Sequence, residues 1–296
     1  MNIAKRQAVC GIVGVGLWAL SMSGCGSAPD TAPPVAKPSI TFSKPRVPLG
    51  SPLEVKYRFE VAPGAAMKQD YRVMVHFLDA DEELMWTDDH NPPVPTTQWK
   101  PGQVIEYTRT MFVPIFPYVG ESTVTVGLYA PGTNERLPLT GELLGQREYR
   151  AAKLQLQPQF DSVLVIFRDG WHPAEVAPDN PALEWQWSRK ESTISFKNPR
   201  QNATLYLHYD GQPARFDVPQ TVSVQLHGES IDSFQVTTTQ DEIRRIAIKA
   251  AQFGNEDLVE VRFVVDKTFV PALLPGGSRD TRELGIRVYH AYIDPQ

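Results

Sequence analysis

LEVKYRFEV, spanning Leu53–Val61, decides the fold. Leu53, Val55, Tyr57, Phe59 and Val61 take every second position, and Glu54, Lys56, Arg58 and Glu60 fill the alternates. A period of two sends the two sets to opposite faces of an extended chain, so the segment reads as a half-buried antiparallel strand. YRVMVHFL (Tyr71–Leu78) is apolar on both faces, as a central strand would be. Val104–Val113, Ser122–Tyr129 and Tyr149–Leu156 repeat the pattern. Pro-Gly, Pro-Pro and Gly-Thr-Asn segments punctuate these strands, and no helical periodicity intervenes.

Short strands at this spacing predict a β-sandwich of immunoglobulin or fibronectin III type over residues 38–157. Beyond it the strand signal continues through Val163–Phe167, Glu184–Trp187, Ser192–Phe196, Thr204–Tyr209, Val222–Leu226, Ile243–Ile248, Leu258–Val265 and Leu284–Ile293. Eight or nine short strands separated by Gly and Pro turns fit a second sandwich, of jelly-roll type, over residues 158–296. The expected class is therefore all-β, with two tandem antiparallel β-sandwiches.

The N-terminus has a different character. Lys5 and Arg6 precede an apolar run from Ala8 to Leu20, which closes with Ser21-Met22-Ser23-Gly24-Cys25. That is the three-part layout of a secretory signal, and it falls short of the roughly 20 apolar residues a membrane-spanning helix needs. Cys25 after Ser-Gly resembles the lipobox of bacterial lipoproteins, with Met22 where leucine is usual. The resemblance implies that residues 1–24 are a signal peptide and that the Cys25 thiol carries a diacylglyceryl group. It also implies a membrane partner held through that lipid. Gly26 in place of aspartate implies the outer membrane if the cell has two. The alternative is an ordinary cleaved signal followed by a chance cysteine. Each buried methylene contributes about 0.8 kcal/mol, so two or three acyl chains anchor firmly where one does not. Ser27–Lys37 (SAPDTAPPVAK) cannot bury enough apolar area to order itself, so residues 25–37 read as a lipidated, extended tether.

A length of 296 residues suffices for two domains, and 42% hydrophobic with 21% charged residues is globular composition. Removing Lys5 and Arg6 takes the formal charge from −5 to −7, which argues against a nucleic-acid partner. Cys10 leaves with the signal and Cys25 takes the lipid, so the mature chain has no pair of thiols to bridge.

Two longer stretches carry further resemblances. Val73–Trp99, then Lys100-Pro101-Gly102, Tyr118-Val119-Gly120 and VGLYAPGTNERLPL (Val126–Leu139), resemble a β-sandwich module of bacterial membrane glycosyltransferases and cell-envelope proteins. The matching positions are His76, Asp79, Trp99, Pro101, Gly102, Gly127, Leu128, Tyr129 and Glu135–Pro138. The segment from Asp266 to Ile293 resembles the end of jelly-roll domains attached to bacterial polysaccharide-synthesis proteins, through Thr268, Phe269, Pro271, Asp280, Arg282, Leu284 and Gly285. The whole arrangement is similar to a family of bacterial two-domain lipoproteins. Such modules accompany many activities, so the resemblance implies a fold and a cell-envelope setting more than a reaction.

For a ligand, Trp171, Trp185 and Trp187 stand out. Trp185 and Trp187 lie two apart and share a strand face, and an indole face packs against the C–H face of a sugar ring. Trp171 sits in DGWHPAEVAPDNP, where Asp169, His172, Glu175, Asp179 and Asn180 offer hydroxyl partners. The competing reading makes these tryptophans core and inter-sandwich packing. Asp79, Asp81, Glu82 and Glu83 could offer oxygens to calcium. They lack the EF-hand spacing and read as a solvated hairpin tip between Leu78 and Leu84. Asp88, Asp89 and His90 could ligate a metal or share a proton, but read as loop chemistry with no second histidine near in sequence. His208 and His227 fall on strand patterns. Nucleophile elbow, His-Glu-x-x-His and phosphate-cradling glycine loop are all missing from the sequence. The expectation is a non-catalytic binding module with no cofactor and no metal, whose partner is a polysaccharide or an envelope protein. A protein–protein adaptor in an export or surface-polysaccharide assembly is the alternative. A glycan-acting enzyme would need two carboxylates facing across a groove.

Overall fold

The computed structural model describes residues 32–159, 164–178, 180–276 and 278–296. The expected signal peptide, Cys25, the tether as far as Thr31, and Asp179 lie outside the described residues.

LEVKYRFEV forms most of β3. The first half contains β1 (Ala36–Phe42), β2 (Arg46–Pro48), β3 (Pro52–Val61), β4 (Arg72–Leu78), β5 (Leu84–Thr87), β6 (Val104–Phe112), β7 (Gly120–Tyr129), β8 (Glu142–Gly145) and β9 (Glu148–Gln157). β1, β3 and β6 make one antiparallel sheet with β3 central. The other sheet runs β2-β9-β7-β4-β5, with β8 on β9, and only β2 and β9 pair in parallel. Period-two alternation does what it predicts: Val55, Tyr57 and Phe59 turn inward and meet Val73, Val75 and Phe77 of β4 and Val124, Val126 and Leu128 of β7. Burying each such side chain contributes about 1.5–3 kcal/mol. β1 starts at Ala36, two residues before the first sandwich was expected to begin. Ala36 is buried and pairs with Val61, while the Val35 N–H donates to the Pro138 carbonyl.

The second half contains β10 (Ile166–Phe167), β11 (Glu175–Ala177), β12 (Asn180–Trp187), β13 (Glu191–Lys197), β14 (Ala203–Asp210), β15 (Gln220–Leu226), β16 (Glu229–Val236), β17 (Glu242–Ile248), β18 (Leu258–Val265) and β19 (Arg287–Pro295). Two antiparallel five-stranded sheets, β10-β13-β18-β15-β16 and β11-β12-β19-β14-β17, enclose a second core built on Ile194, Leu205, Val224, Val261, Phe263 and Ile293. Apart from 3-10 turns of three or four residues, the regular structure among the described residues is β-strand. The all-β sandwich class is thus the observed one.

Pro33–Gln296 is one compact unit, and the two sandwiches meet along the outer face of β14 and β19. Lys44 Nζ lies 2.8 Å from the Asp294 carboxylate, and Glu54 pairs with Arg245. His290 Nε2–H donates to the Gly50 carbonyl at 3.1 Å. The ring of Phe112 stands edge-on to His290 at 4.6 Å and stacks over His208 at 6.0 Å. No helix among the described residues is long and apolar enough to cross a membrane.

Candidate functional site

Trp185 and Trp187 share the outer face of β12, as their spacing predicts. β12 pairs with β19 through Gln186 opposite Val288 and Trp187 opposite Arg287, which places Arg287 against both indoles. Its guanidinium carbon lies 4.9 Å from the Trp185 ring, 5.6 Å from Trp187 and 5.2 Å from Tyr289. Cation–π attraction at such distances contributes about 0.5–2 kcal/mol. Asp210, at the end of β14 and directly opposite Arg287, fixes the other side of the guanidinium. Its carboxylate accepts from Arg287 Nε at 2.8 Å, from Arg287 Nη2, and from the Tyr289 hydroxyl at 2.7 Å. These bonds raise the pKa of Arg287, and burial, followed by the Asp210 contact, pushes the Tyr289 phenol up.

The loop between β18 and β19 covers this face. Phe269 and Leu284 bridge its two arms by reciprocal backbone hydrogen bonds of 2.9 and 2.8 Å. The buried side chain of Gln220 donates to the Lys267 carbonyl at 2.7 Å and lies 3.4 Å from that of Gly285. Gly285 is needed here, because a Cβ would fall 2.4 Å from Ser188 Oγ and 2.9 Å from the Arg189 carbonyl. Its N–H instead donates to the Ser188 carbonyl at 2.7 Å, which docks the loop onto the end of β12.

Between loop and sheet lies a cleft of about 590 Å³, within the range of small-ligand sites. Trp185, Trp187 and Phe269 supply its aromatic lining, and Leu274 and Pro275 add apolar surface from the loop. Arg282 crosses the wall, reaching Glu175 Oε1 at 2.6 Å and Asp280 Oδ2 at 2.8 Å. The same contacts hold the Asp280 carboxyl down at about 2. A guanidinium has five N–H donors. Three of Arg282's are engaged by Asp280 and Glu175, so two remain for a ligand. Aromatic surface flanked by fixed donors and carboxylate acceptors is an arrangement suited to a polyhydroxylated molecule, whose C–H faces and hydroxyls need both.

Not every residue singled out in the sequence joins this cleft. Trp171 belongs to the second core: its ring packs edge-on to Phe167 at 4.8 Å and Phe263 at 6.1 Å, and its N–H donates to the Thr193 carbonyl at 2.8 Å. Asp169 is an exposed turn residue whose backbone carbonyl accepts from the Thr193 N–H. His172 is buried and donates from Nε2 to the Glu283 carbonyl at 2.7 Å, so it ties down the loop instead of facing the cleft. Among the described residues of that segment, Glu175 alone lines the site.

Asp79 to Glu83 form the hairpin tip between β4 and β5. The Asp79 carboxylate accepts the Asp81 and Glu83 N–H groups, both at 2.9 Å. Asp88 and His90 are more than loop residues. Asp88 accepts from Tyr57 at 2.6 Å and from Arg109 at 3.0 Å, both strands of the facing sheet. His90 Nδ1–H donates to the Asp88 carbonyl at 2.6 Å, which leaves Nε2 to accept from the Tyr107 hydroxyl at 2.7 Å. Asp89 accepts the Val75 N–H at 2.9 Å. Among the described residues no group of three or more His, Cys, Asp or Glu is placed to hold a metal ion. His208 Nε2–H donates to Asp241 at 2.6 Å, and His227 sits in the β15–β16 turn at φ 51°, not within a strand.

No family model and no curated protein matches the chain. Solved structures match weakly. An alkylpurine DNA glycosylase of Pseudomonas fluorescens, bound to DNA with an abasic-site analogue, is 13% identical with a TM-score of 0.28, covering 42% of this chain and 31% of that one. A beta-glucuronidase of Bacteroides uniformis is 9% identical with a TM-score of 0.31, covering 88% and 30%. The tandem CBM22-1-CBM22-2 domain of Paenibacillus barcinonensis Xyn10C is 10% identical with a TM-score of 0.28, covering 84% and 80%. This chain thus spans under a third of the first two proteins. At these scores the likenesses carry no argument.

Proposed function

We propose that the chain is a membrane-anchored cell-envelope protein that binds a glycan, without transforming it, in the cleft between β12 and the β18–β19 loop. What supports this reading is one juxtaposition: Trp185, Trp187 and Phe269 line the same 590 Å³ cleft as the Arg282–Glu175–Asp280 ion pairs. Packing supplies affinity for ring faces, and the fixed charges supply hydroxyl partners. Glycoside hydrolysis needs a carboxyl held protonated near neutral pH. Here Asp280 is pulled down to about 2 and Glu175 is paired with Arg282, which supports a binding role over a catalytic one. A lipid on Cys25 and a Pro-rich tether would raise the local concentration of a weak binder at the envelope surface.

The test is titration of the soluble fragment from residue 32 onward against a panel of neutral and acidic polysaccharides, followed by calorimetry. At least one should bind, and Trp185→Ala should weaken that binding about tenfold or more. Binding that survives Trp185→Ala and Arg282→Ala together would move the site elsewhere. The anchor is tested separately in the full chain, where Cys25→Ser should shift the protein from the membrane to the soluble fraction.

A further inference from the structure

The lining of the cleft carries one guanidinium that makes no side-chain hydrogen bond or ion pair among the described residues. Arg282 is shared by two carboxylates, Glu175 and Asp280, and Arg287 faces the buried Asp210, so the group's charges balance only when Arg215 is counted. Arg215, at the end of the 3-10 turn Pro213–Arg215, also lines the cleft and is exposed. Among the described residues its side chain has no hydrogen-bond or ion-pair partner, and only its backbone N–H is used, by the Gln212 carbonyl. All five of its guanidinium donors are therefore available. Arg287 adds unused donors of its own, since Asp210 takes only Nε and Nη2. Both carboxylates that line the cleft already hold Arg282, so Arg215 is the charged lining group whose side chain is uncommitted among the described residues.

Resting on the glycan reading above, we propose that the ligand is an anionic saccharide, bearing a uronate carboxylate or a sulfate ester, and that Arg215 meets the anion. A guanidinium fork matches either group in bidentate geometry. Arg282 and Arg287 are poorly placed for that role because each already faces carboxylate oxygens. The overall charge of −5 opposes indiscriminate capture of polyanions, so any selectivity for one must come from a local arrangement of this kind.

Affinity electrophoresis of the fragment from residue 32 onward, through gels containing alginate, dextran sulfate or neutral dextran, tests the proposal. Retardation by alginate or dextran sulfate should exceed that by dextran, and the two anionic gels distinguish carboxylate from sulfate. Arg215→Gln should weaken the anionic interaction about tenfold, as expected for loss of a charge-assisted contact, while Arg215→Lys retains part of it. Arg200→Gln, a change outside the cleft lining, should leave it intact. Retardation by dextran equal to that by the polyanions, still sensitive to Trp185→Ala, would overturn this proposal and keep the glycan site. Unchanged retardation of Arg215→Gln would overturn it as well. No retardation in any gel would overturn both readings.

Discussion

Each sandwich carries a cluster of aromatic rings, arginine and aspartate, and the two clusters differ in what they leave open. In the first, Tyr57, Tyr107, His90, Asp88 and Arg109 spend their hydrogen bonds on one another across the two sheets, with Tyr57 and Tyr107 stacked at 5.3 Å. Burial, reinforced by Asp88, drives both phenols far above their usual range, and burial pulls His90 down. In the second, Trp185, Trp187, Arg287 and Arg282 face a cleft, and the Arg215 side chain beside them has no hydrogen-bond or ion-pair partner among the described residues. The residue types are nearly the same. What separates a staple from a candidate site is room and spare hydrogen-bonding capacity, and neither is written in composition.

The largest expected effect breaks the closed cluster. Asp88→Ala removes the acceptor shared by Tyr57 and Arg109. Cutting one partner from a fully buried pair costs about 3–5 kcal/mol, and the 39% exposed Arg109 side chain lowers that here to about 2–3 kcal/mol. Urea unfolding should show this loss with glycan binding per folded molecule unchanged. A loss under about 0.5 kcal/mol would mean the cluster does not staple the sandwich. Trp185→Ala should do the reverse, with at least a tenfold loss of binding and a smaller change in stability, about 1–2 kcal/mol for a ring only partly buried.

Much of this contrast is invisible in the sequence. Period two exposes β3, β4, β7 and β18 because their inward positions are Val, Leu, Tyr and Phe. β16 escapes, since ESIDSFQV carries only Ile231, Phe234 and Val236 among polar residues, and β1 is masked by the proline-rich approach to Ala36. In the site, Trp185 and Trp187 are legible because two residues on one strand share a face. Arg282 and Glu175 are 107 positions apart, and Arg287 and Asp210 are 77 apart, so no local pattern joins them. Trp171 misleads for the converse reason: it is near in sequence to the site, yet its loop folds into the core beside Phe263.

A smaller effect concerns the joint between the sandwiches. Burial in the joint lowers the pKa of His290 despite its hydrogen bond to the Gly50 carbonyl, as burial lowers that of His90. A depressed folded-state value means the folded form binds fewer protons, so stability is fully present above the ordinary histidine value of about 6.5 and is lost as pH falls toward the folded-state value. Melting temperature should therefore drop between pH 7 and 5, and His290→Gln should flatten part of that drop. An unaltered profile would show that this histidine does not sense acid. The smallest effect is at Lys44→Ala. Its pair with Asp294 bridges the same joint, but the lysine is 42% exposed, and the loss should stay below about 1 kcal/mol.

Hydrogen exchange with and without a bound polysaccharide compares the two clusters in a single experiment. Ligand should slow exchange in Glu184–Ser188 and in the 268–287 segment, leaving the 72–90 and 104–112 segments of the first sandwich unchanged. Protection confined to the first sandwich, with the β12 and β18–β19 loop amides unaffected, would contradict the assignment of the site to the open cleft.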